Sequence, residues 1–428
     1  MKQSPVMKSE IYQFLKKIRI LKLIKWNVQF FLWRARIARH SKETNNYYDV
    51  YKTYWIDPER IRLAWLPAYK IDPYDRIKSP IEELGLILGG DWDLETIPFE
   101  DLDVWQAFKA HFAEGRTWSD TVFYARIVKD ILTVRPRWGC KTVEEFDHRL
   151  QKFDAMFQEI KNNGFRAQTE IQSAAGPYGK EDEIIVHISR EGDYLFANGR
   201  HRLSIAKLLG VKKVPVKIAR RHENWVAFRR EILSYAGESN DGYIYHPITH
   251  PDLEDIPAKH DLTRIQIIEP YVPGEGGRLL DIGAHWGFFS HWFESLGFEC
   301  TAVEMDPKEA YFLKKLHKAE NRKFKIIESS IFDAQLNMEF DVVLALNIFH
   351  HFLKNKNQYE KLKSFLNKLN TRVMFFQPHL QHEAQMQTAF QNYSETEFVD
   401  FVRTNARLLN VIKLGQDVDG RSIYKLEK

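Results

Sequence analysis

"RLLDIGAHWGFFSHW", Arg278–Trp292, sets an apolar run, an acid, a glycine-bearing turn and an amphipathic helix in direct succession. Leu279–Ile282 has the composition of a buried strand, Gly283 opens the turn and Gly287 lies just inside the helix. In an open parallel sheet this order puts the turn's amides and the positive helix end on the ligand side. A dinucleotide loop needs G-x-G-x-x-G, whose middle glycine lets the backbone approach the pyrophosphate. Here Ala284, His285 and Trp286 separate Gly283 from Gly287, so the middle glycine is missing and NAD is disfavoured.

Beyond this stretch, strand-like and helical segments alternate. The apolar runs are "RLLDIG", "ECTAVEMD", "FKIIESS", "FDVVLALN" and "RVMFFQP". Such alternation predicts a doubly wound parallel sheet with helices on both faces. The second run ends at Glu304, about 20 residues past the glycine turn, where an acid accepts hydrogen bonds from ribose hydroxyls. "LLDIGAHWGFFS" and "AVEMDP", with "IIESSIFD" and "FDVVLALNIFHHF" in order after them, resemble the class I S-adenosylmethionine-dependent methyltransferases. The resemblance covers the last 170–190 residues or so. It implies a Rossmann-like sheet and S-adenosylmethionine as cofactor. By the same resemblance Asp281 would lie near the methionyl amino group, Gly283, His285 and Gly287 would shape the loop, and Glu304 would hold the ribose. Ser330 and Ile331 would flank the adenine, and Asn347 would lie beneath the sulfonium. Histidine at the usual second glycine and Ser330 at a frequent aspartate are the departures from the family pattern.

Histidines fall just past three strands: His285, the pair His350 and His351, and His379. All should face the cofactor side, and an imidazole there is a candidate base for a hydroxyl acceptor. His350 or His351 has the alternative role of packing the following helix. No carboxylate–histidine spacing supports a metal. His246, His250 and His260 lie in a Pro-punctuated stretch, Glu238–His260, expected to be a linker or the lead-in to the next domain.

In the middle of the chain, "LFANGRHRLSIAKLLGVKKVPVKI" places Asn198, Gly199, Arg200, His201 and Arg202 at a strand-to-helix turn. Amides, helix dipole and guanidinium groups meeting there suit a phosphate. The turn resembles the ParB-like nuclease and sulfiredoxin superfamily over roughly Ile185–Val216. That resemblance implies an α+β domain holding a nucleoside triphosphate, although Asn198 replaces a frequent acid and no reactive cysteine accompanies it. Asp91 or Asp93 of "LGGDWD" are expected contributors to the same pocket. Upstream, Ser119 is a candidate cap for one helix. Thr142 with Glu145 forms a capping box for another, which Gly164 should stop.

The expected organisation is a basic helical leader at 1–45, a ParB-like domain at 46–240 and a methyltransferase domain at 241–428. Residues 1–40 carry ten Lys/Arg against Glu10, leaving the rest of a +4 chain at −5. Lysines interrupt each apolar run of the leader before the roughly 18 residues of a membrane span. It suits either peripheral contact with an anionic membrane or partner, or docking on the next domain. A basic leader on a mildly acidic body is a local signal, from which no general nucleic-acid affinity follows. "NIFHHF" also lacks the Asn/Asp-Pro-Pro-aromatic signature of amino-methylating DNA enzymes. Cys140 and Cys300 are isolated, as in a reducing, cytoplasmic setting. The expected activity is methyl transfer to a small-molecule or glycan-like hydroxyl. The rival reading is a nucleotide-binding regulator centred on the ParB-like domain.

Overall fold

The computed structural model describes residues 52–66, 83–133, 140–167, 170, 183–239, 241–274 and 276–428. The basic leader and the Ile71–Asp75 turn lie outside them. The chain divides into two compact units, Met1–Phe228 and Arg229–Lys428, both mixed α/β. No helix among the described residues is long and apolar enough to cross a membrane.

In the first unit, strands β1 (Tyr54–Ile56), β2 (Leu63–Trp65), β3 (Leu86–Leu88), β4 (Thr96–Pro98), β5 (Ile184–Ile188), β6 (Tyr194–Asn198) and β7 (Val214–His222) form one mixed sheet. Its order is β1-β7-β5-β6-β2-β4, with β3 also on β7. Helices α1 (Asp103–Phe112), α2 (Val122–Thr133), α3 (Val143–Asn163) and α4 (Arg200–Leu208) share a core of Phe108, Phe123, Phe146, Phe153 and Ile205. Thr142 caps α3 through the Glu145 amide, and Gly164 ends it at φ 79°. Ser119 does not cap α2. It lies in a 3-10 turn, and the Thr121 hydroxyl accepts the Tyr124 amide instead.

Helix α5 (Glu223–Ser239) spans the boundary between units. In the second unit, α6 (Thr263–Ile268) precedes strands β8 (Gly277–Ile282), β9 (Phe298–Glu304), β10 (Lys325–Glu328), β11 (Glu339–Leu346) and β12 (Asn370–Gln377). These five pair in parallel in the order β10-β9-β8-β11-β12. Helices α7 (Phe288–Ser295), α8 (Pro307–Ala319) and α9 (Lys356–Lys368) intervene, and α10 (Glu395–Asn405) follows β12. The sheet is not wholly parallel, however. Strands β13 (Asn410–Gln416) and β14 (Ser422–Glu427) add an antiparallel hairpin, with β14 beside β12. Two apolar clusters, one containing Leu280, Val343 and Phe376 and the other Leu279, Leu344 and Phe375, come from alternate residues of the same strands. That alternation is what a sheet covered on both faces requires.

Candidate functional site

Strand order reverses between β8 and β11, so the loops after their carboxyl ends part and leave a crevice. The turn after β8 is bound to β9, since the Gly283 and Ala284 amides both donate to the Val303 carbonyl. Gly283 (φ 70°) and Gly287 (φ 82°) adopt a conformation L side chains rarely take. A Cβ at Gly283 would lie 2.7 Å from Ile348, and one at Gly287 would lie 2.5 Å from Leu313. Glu304, at the tip of β9, accepts the His285 amide at 2.8 Å and the Asp306 amide at 2.9 Å. One carboxylate thus shapes two loops.

His285 and Trp286 now have a physical account. His285 is one of five non-glycine residues with positive φ among those described, at 51°. Trp286 turns away from the turn and is buried against Phe312 and Tyr235. Its indole Nε1 donates to Glu309 at 2.6 Å, as does the Tyr235 hydroxyl. The His285 ring lies 3.2 Å from the same carboxylate. Burial pulls the His285 imidazole down to about 4, so the contact is with a neutral ring at neutral pH. The pair is an anchor on α8 that takes the place of a second glycine.

Asp281 is buried and accepts the Ser290 hydroxyl at 2.7 Å. Burial, reinforced by the Glu304 charge, lifts its carboxyl to about 6. Ser330 and Ile331 follow β10, where Ser330 caps its own turn through the Phe332 amide. Asn347 follows β11 at φ 55°. Asp281, Glu304, Gly283, Gly287, Ser330 and Asn347 therefore all lie at or just past the carboxyl ends of parallel strands.

The histidines divide into two groups rather than one ring. His350 packs against His351 and His379, with ring centroids 4.1 and 5.9 Å away. His350 and His379 are buried, and burial brings His350 down to about 3. His351 is exposed, with Nδ1 3.5 Å from the Lys354 amine. In the second group, His246, His260 and His285 surround Tyr245 at 4.6, 4.4 and 5.4 Å.

Tyr245 belongs to the Pro-punctuated segment, which is a folded part of the second unit and no loose linker: Ile244, His246, Ile248, His250, Leu253 and His260 are buried. The Tyr245 hydroxyl accepts Arg264 at 3.2 Å and Asn347 Nδ2 at 3.4 Å. Arg264 also grips Asp417 Oδ2, at 2.8 and 3.0 Å, and Gln377 Nε2 donates to that oxygen at 2.8 Å. Sequence reasoning missed Tyr245, Arg264, Gln377, Asp417 and Glu309. The alternation Ile244, His246, Ile248 was a usable sign that their segment is packed. His260, Asp417 and Asp419 bring ligand-type atoms within 4.8 Å of one another, but the Arg264 guanidinium on Asp417 opposes a cation there.

In the first unit Gly199 starts α4 at φ 89°. Arg202 is buried, pairs with Glu183 at 3.0 Å and also donates to the Arg166 carbonyl. His201 stacks on Phe153 and Phe108. Two of the side chains expected at a phosphate, His201 and Arg202, are thus turned into the core. Asp91 and Asp93 do not join that turn, since both bind Arg190. His222 stacks on Trp92 beside them.

A family model described as "Methyltransferase domain" matches residues 280–371, from β8 to the start of β12. No curated protein matches the chain. Among solved structures, a low-resolution structure of WbdD is 19% identical over 44% of this chain and 40% of its own, with TM-score 0.37. The N-methyltransferase NodS from Bradyrhizobium japonicum WM9 is 12% identical over 39% of this chain and 94% of its own, at 0.31. The PH0226 protein from Pyrococcus horikoshii OT3 is 17% identical over 39% and 89%, at 0.30. The chain spans less than half the length of the WbdD structure. The C-terminal region of this chain carries a methyltransferase domain.

Proposed function

We propose that this domain uses S-adenosylmethionine to methylate a hydroxyl group. One observation carries the reading: two glycines held at positive φ, each with a neighbouring side chain where a Cβ would fall, and two strand-end acids, Asp281 and Glu304, meet where the strand order reverses. Those residues fit the cofactor. Glu304 suits the ribose, and Asp281 and the carboxylate beside it favour a cationic methionyl group. Asn347 Oδ1, buried and without a donor, suits the polarised groups around the sulfonium. Bound there, S-adenosylmethionine supplies an electrophilic methyl group. The protein's part would be to hold the acceptor oxygen in line with that methyl group. The acceptor proton passes to the exposed His351 ring and on to solvent, with His350 and His379 buried behind as support.

Calorimetric titration with S-adenosylmethionine tests this directly. Wild type should bind, and Glu304→Ala should weaken binding at least tenfold. An absence of heat with wild type would refute the reading.

For the first unit, the resemblance to ParB-like proteins and the glycine-started helix support an accessory role in holding a nucleotide phosphate. Backbone amides of Arg200–Arg202 are the proposed donors, with Asn198 and Gly199 shaping the turn. Because Arg202 is committed to Glu183, Arg202→Ala should affect folding more than affinity for a nucleoside triphosphate.

A further inference from the structure

The turn after β11 and the loop after β12 are tied together. The Gln391 amide donates to the Leu353 carbonyl at 3.1 Å, and the Phe390 amide to the Lys354 carbonyl at 3.3 Å. Across this junction the Lys354 amine donates to Gln385 Oε1 at 3.1 Å and lies 3.5 Å from His351 Nδ1. The Gln385 amide is not free to reverse. Its Nε2 donates to Glu383 at 2.7 Å, and turning it would set oxygen against the carboxylate and N–H against the ammonium. An exposed ammonium is thus held in place by two neutral atoms.

Other cations near these strand ends are paired. Arg264 is held by Asp417, and Arg421 by Glu383 and Asp419. Lys354 makes no ion pair among the described residues. Its position also bears on His351. An ammonium can only donate, so Nδ1 is the bare nitrogen of the neutral His351 ring and Nε2 carries its proton. The bare nitrogen is the one able to take a proton from an acceptor, and Lys354 rests on it. Partial burial, and then the Lys354 charge, hold this ring below the ordinary imidazole range, with Glu383 opposing them.

We infer that the acceptor of the proposed methyl transfer carries an oxyanion, a carboxylate or a phosphate, besides its hydroxyl. That anion binds Lys354 and draws the amine off His351 Nδ1, which is then open to the hydroxyl proton. Lys354 therefore reads the charge of the acceptor and couples it to the readiness of the base. The inference rests on the methyltransferase reading and names a substrate class within it. A cationic acceptor would be repelled by this ammonium, and the acids it would need, Glu383 and Asp417, are held by Arg421 and Arg264. A neutral acceptor would leave Lys354 on the base, where its charge opposes the arriving proton. Because Lys354 is exposed, an anion pairs with it without the desolvation penalty of a buried ion pair.

The test follows the His351 ring by NMR in the full chain saturated with S-adenosylhomocysteine, at constant ionic strength, with His351→Gln assigning the signal. Inorganic phosphate and acetate are the anionic probes, and acetamide is the uncharged match for acetate. The exposed His148 serves as the reference for non-specific screening. At least one anion should raise the His351 titration midpoint saturably, by about half a pH unit or more, without a matching change at His148. Which anion does so tells a phosphoryl group from a carboxylate. Lys354→Met should start from a higher midpoint than wild type and bind that anion at least tenfold more weakly, whereas Lys354→Arg should keep the response. Three results would each overturn the inference: no saturable response to either anion, an equal response to acetamide, or a response that survives Lys354→Met. Saturation is checked beforehand by calorimetry, and failure to bind S-adenosylhomocysteine at all would instead remove the methyltransferase reading beneath it.

Discussion

Asp281 illustrates how one side chain sets both stability and binding. Its folded carboxyl, lifted to about 6, favours the protonated form relative to the unfolded chain, where it titrates near 3.8. The stabilising contribution is therefore fully present below about pH 4 and is lost as pH rises through about 6. Cofactor attraction runs the other way, because only the carboxylate draws a cation. Affinity for S-adenosylmethionine should fall as pH drops from about 7 to about 5, and Asp281→Asn should flatten that profile. The same variant, unliganded, should be more stable than wild type near neutral pH by about 2–3 kcal/mol, read by urea denaturation. A variant no more stable than wild type would show that burial does not penalise this carboxylate. At the neighbouring glycines the expectation is simpler. Gly283→Ala and Gly287→Ala each combine a positive φ with a close contact, and each should cost about 1–3 kcal/mol in unfolding.

Among the strands of the second unit, the β13–β14 hairpin is the one the sequence reading did not anticipate. Asp419-Gly420, flanked by Val411–Leu414 and Ile423–Leu426, was a hairpin signal of the usual kind. Short β runs of this kind carry little weight beside five strong parallel ones. The parallel strands were legible because each carries an apolar stretch and has at or just past its end a residue with chemistry: Asp281, Glu304, Ser330 and Asn347. The segment around Tyr245 was not, since prolines conceal burial that only tertiary contacts create. Nor does composition reveal that Arg202 pairs with Glu183 in the core instead of facing an anion. The hairpin turn is held by Arg264 on Asp417, both almost fully buried. Arg264→Met should strand that carboxylate and cost about 3–5 kcal/mol, measured as a fall in the urea midpoint. A smaller loss would mean the Gln377 amide and the backbone donors of Asp419 and Arg421 hold Asp417 unaided.

For the whole molecule, the division at Phe228–Arg229 falls inside α5, and that helix's later residues belong with the methyltransferase sheet. Tyr235 bonds Glu309, and the Tyr311 hydroxyl donates to Glu231 at 2.7 Å. A fragment starting at Glu223 should therefore fold and bind S-adenosylmethionine within about threefold of the full chain, whereas one starting at Asp241 should melt lower. Equal melting of the two would show that α5 lends the sheet nothing. One contact in this assembly has a practical consequence. Trp286, buried with its indole N–H on Glu309, sits in the very turn that would close on the cofactor. The loop thus carries an intrinsic fluorophore. The emission difference between wild type and Trp286→Phe isolates that indole from the ten others, so loop settling can be timed by stopped flow with no attached dye.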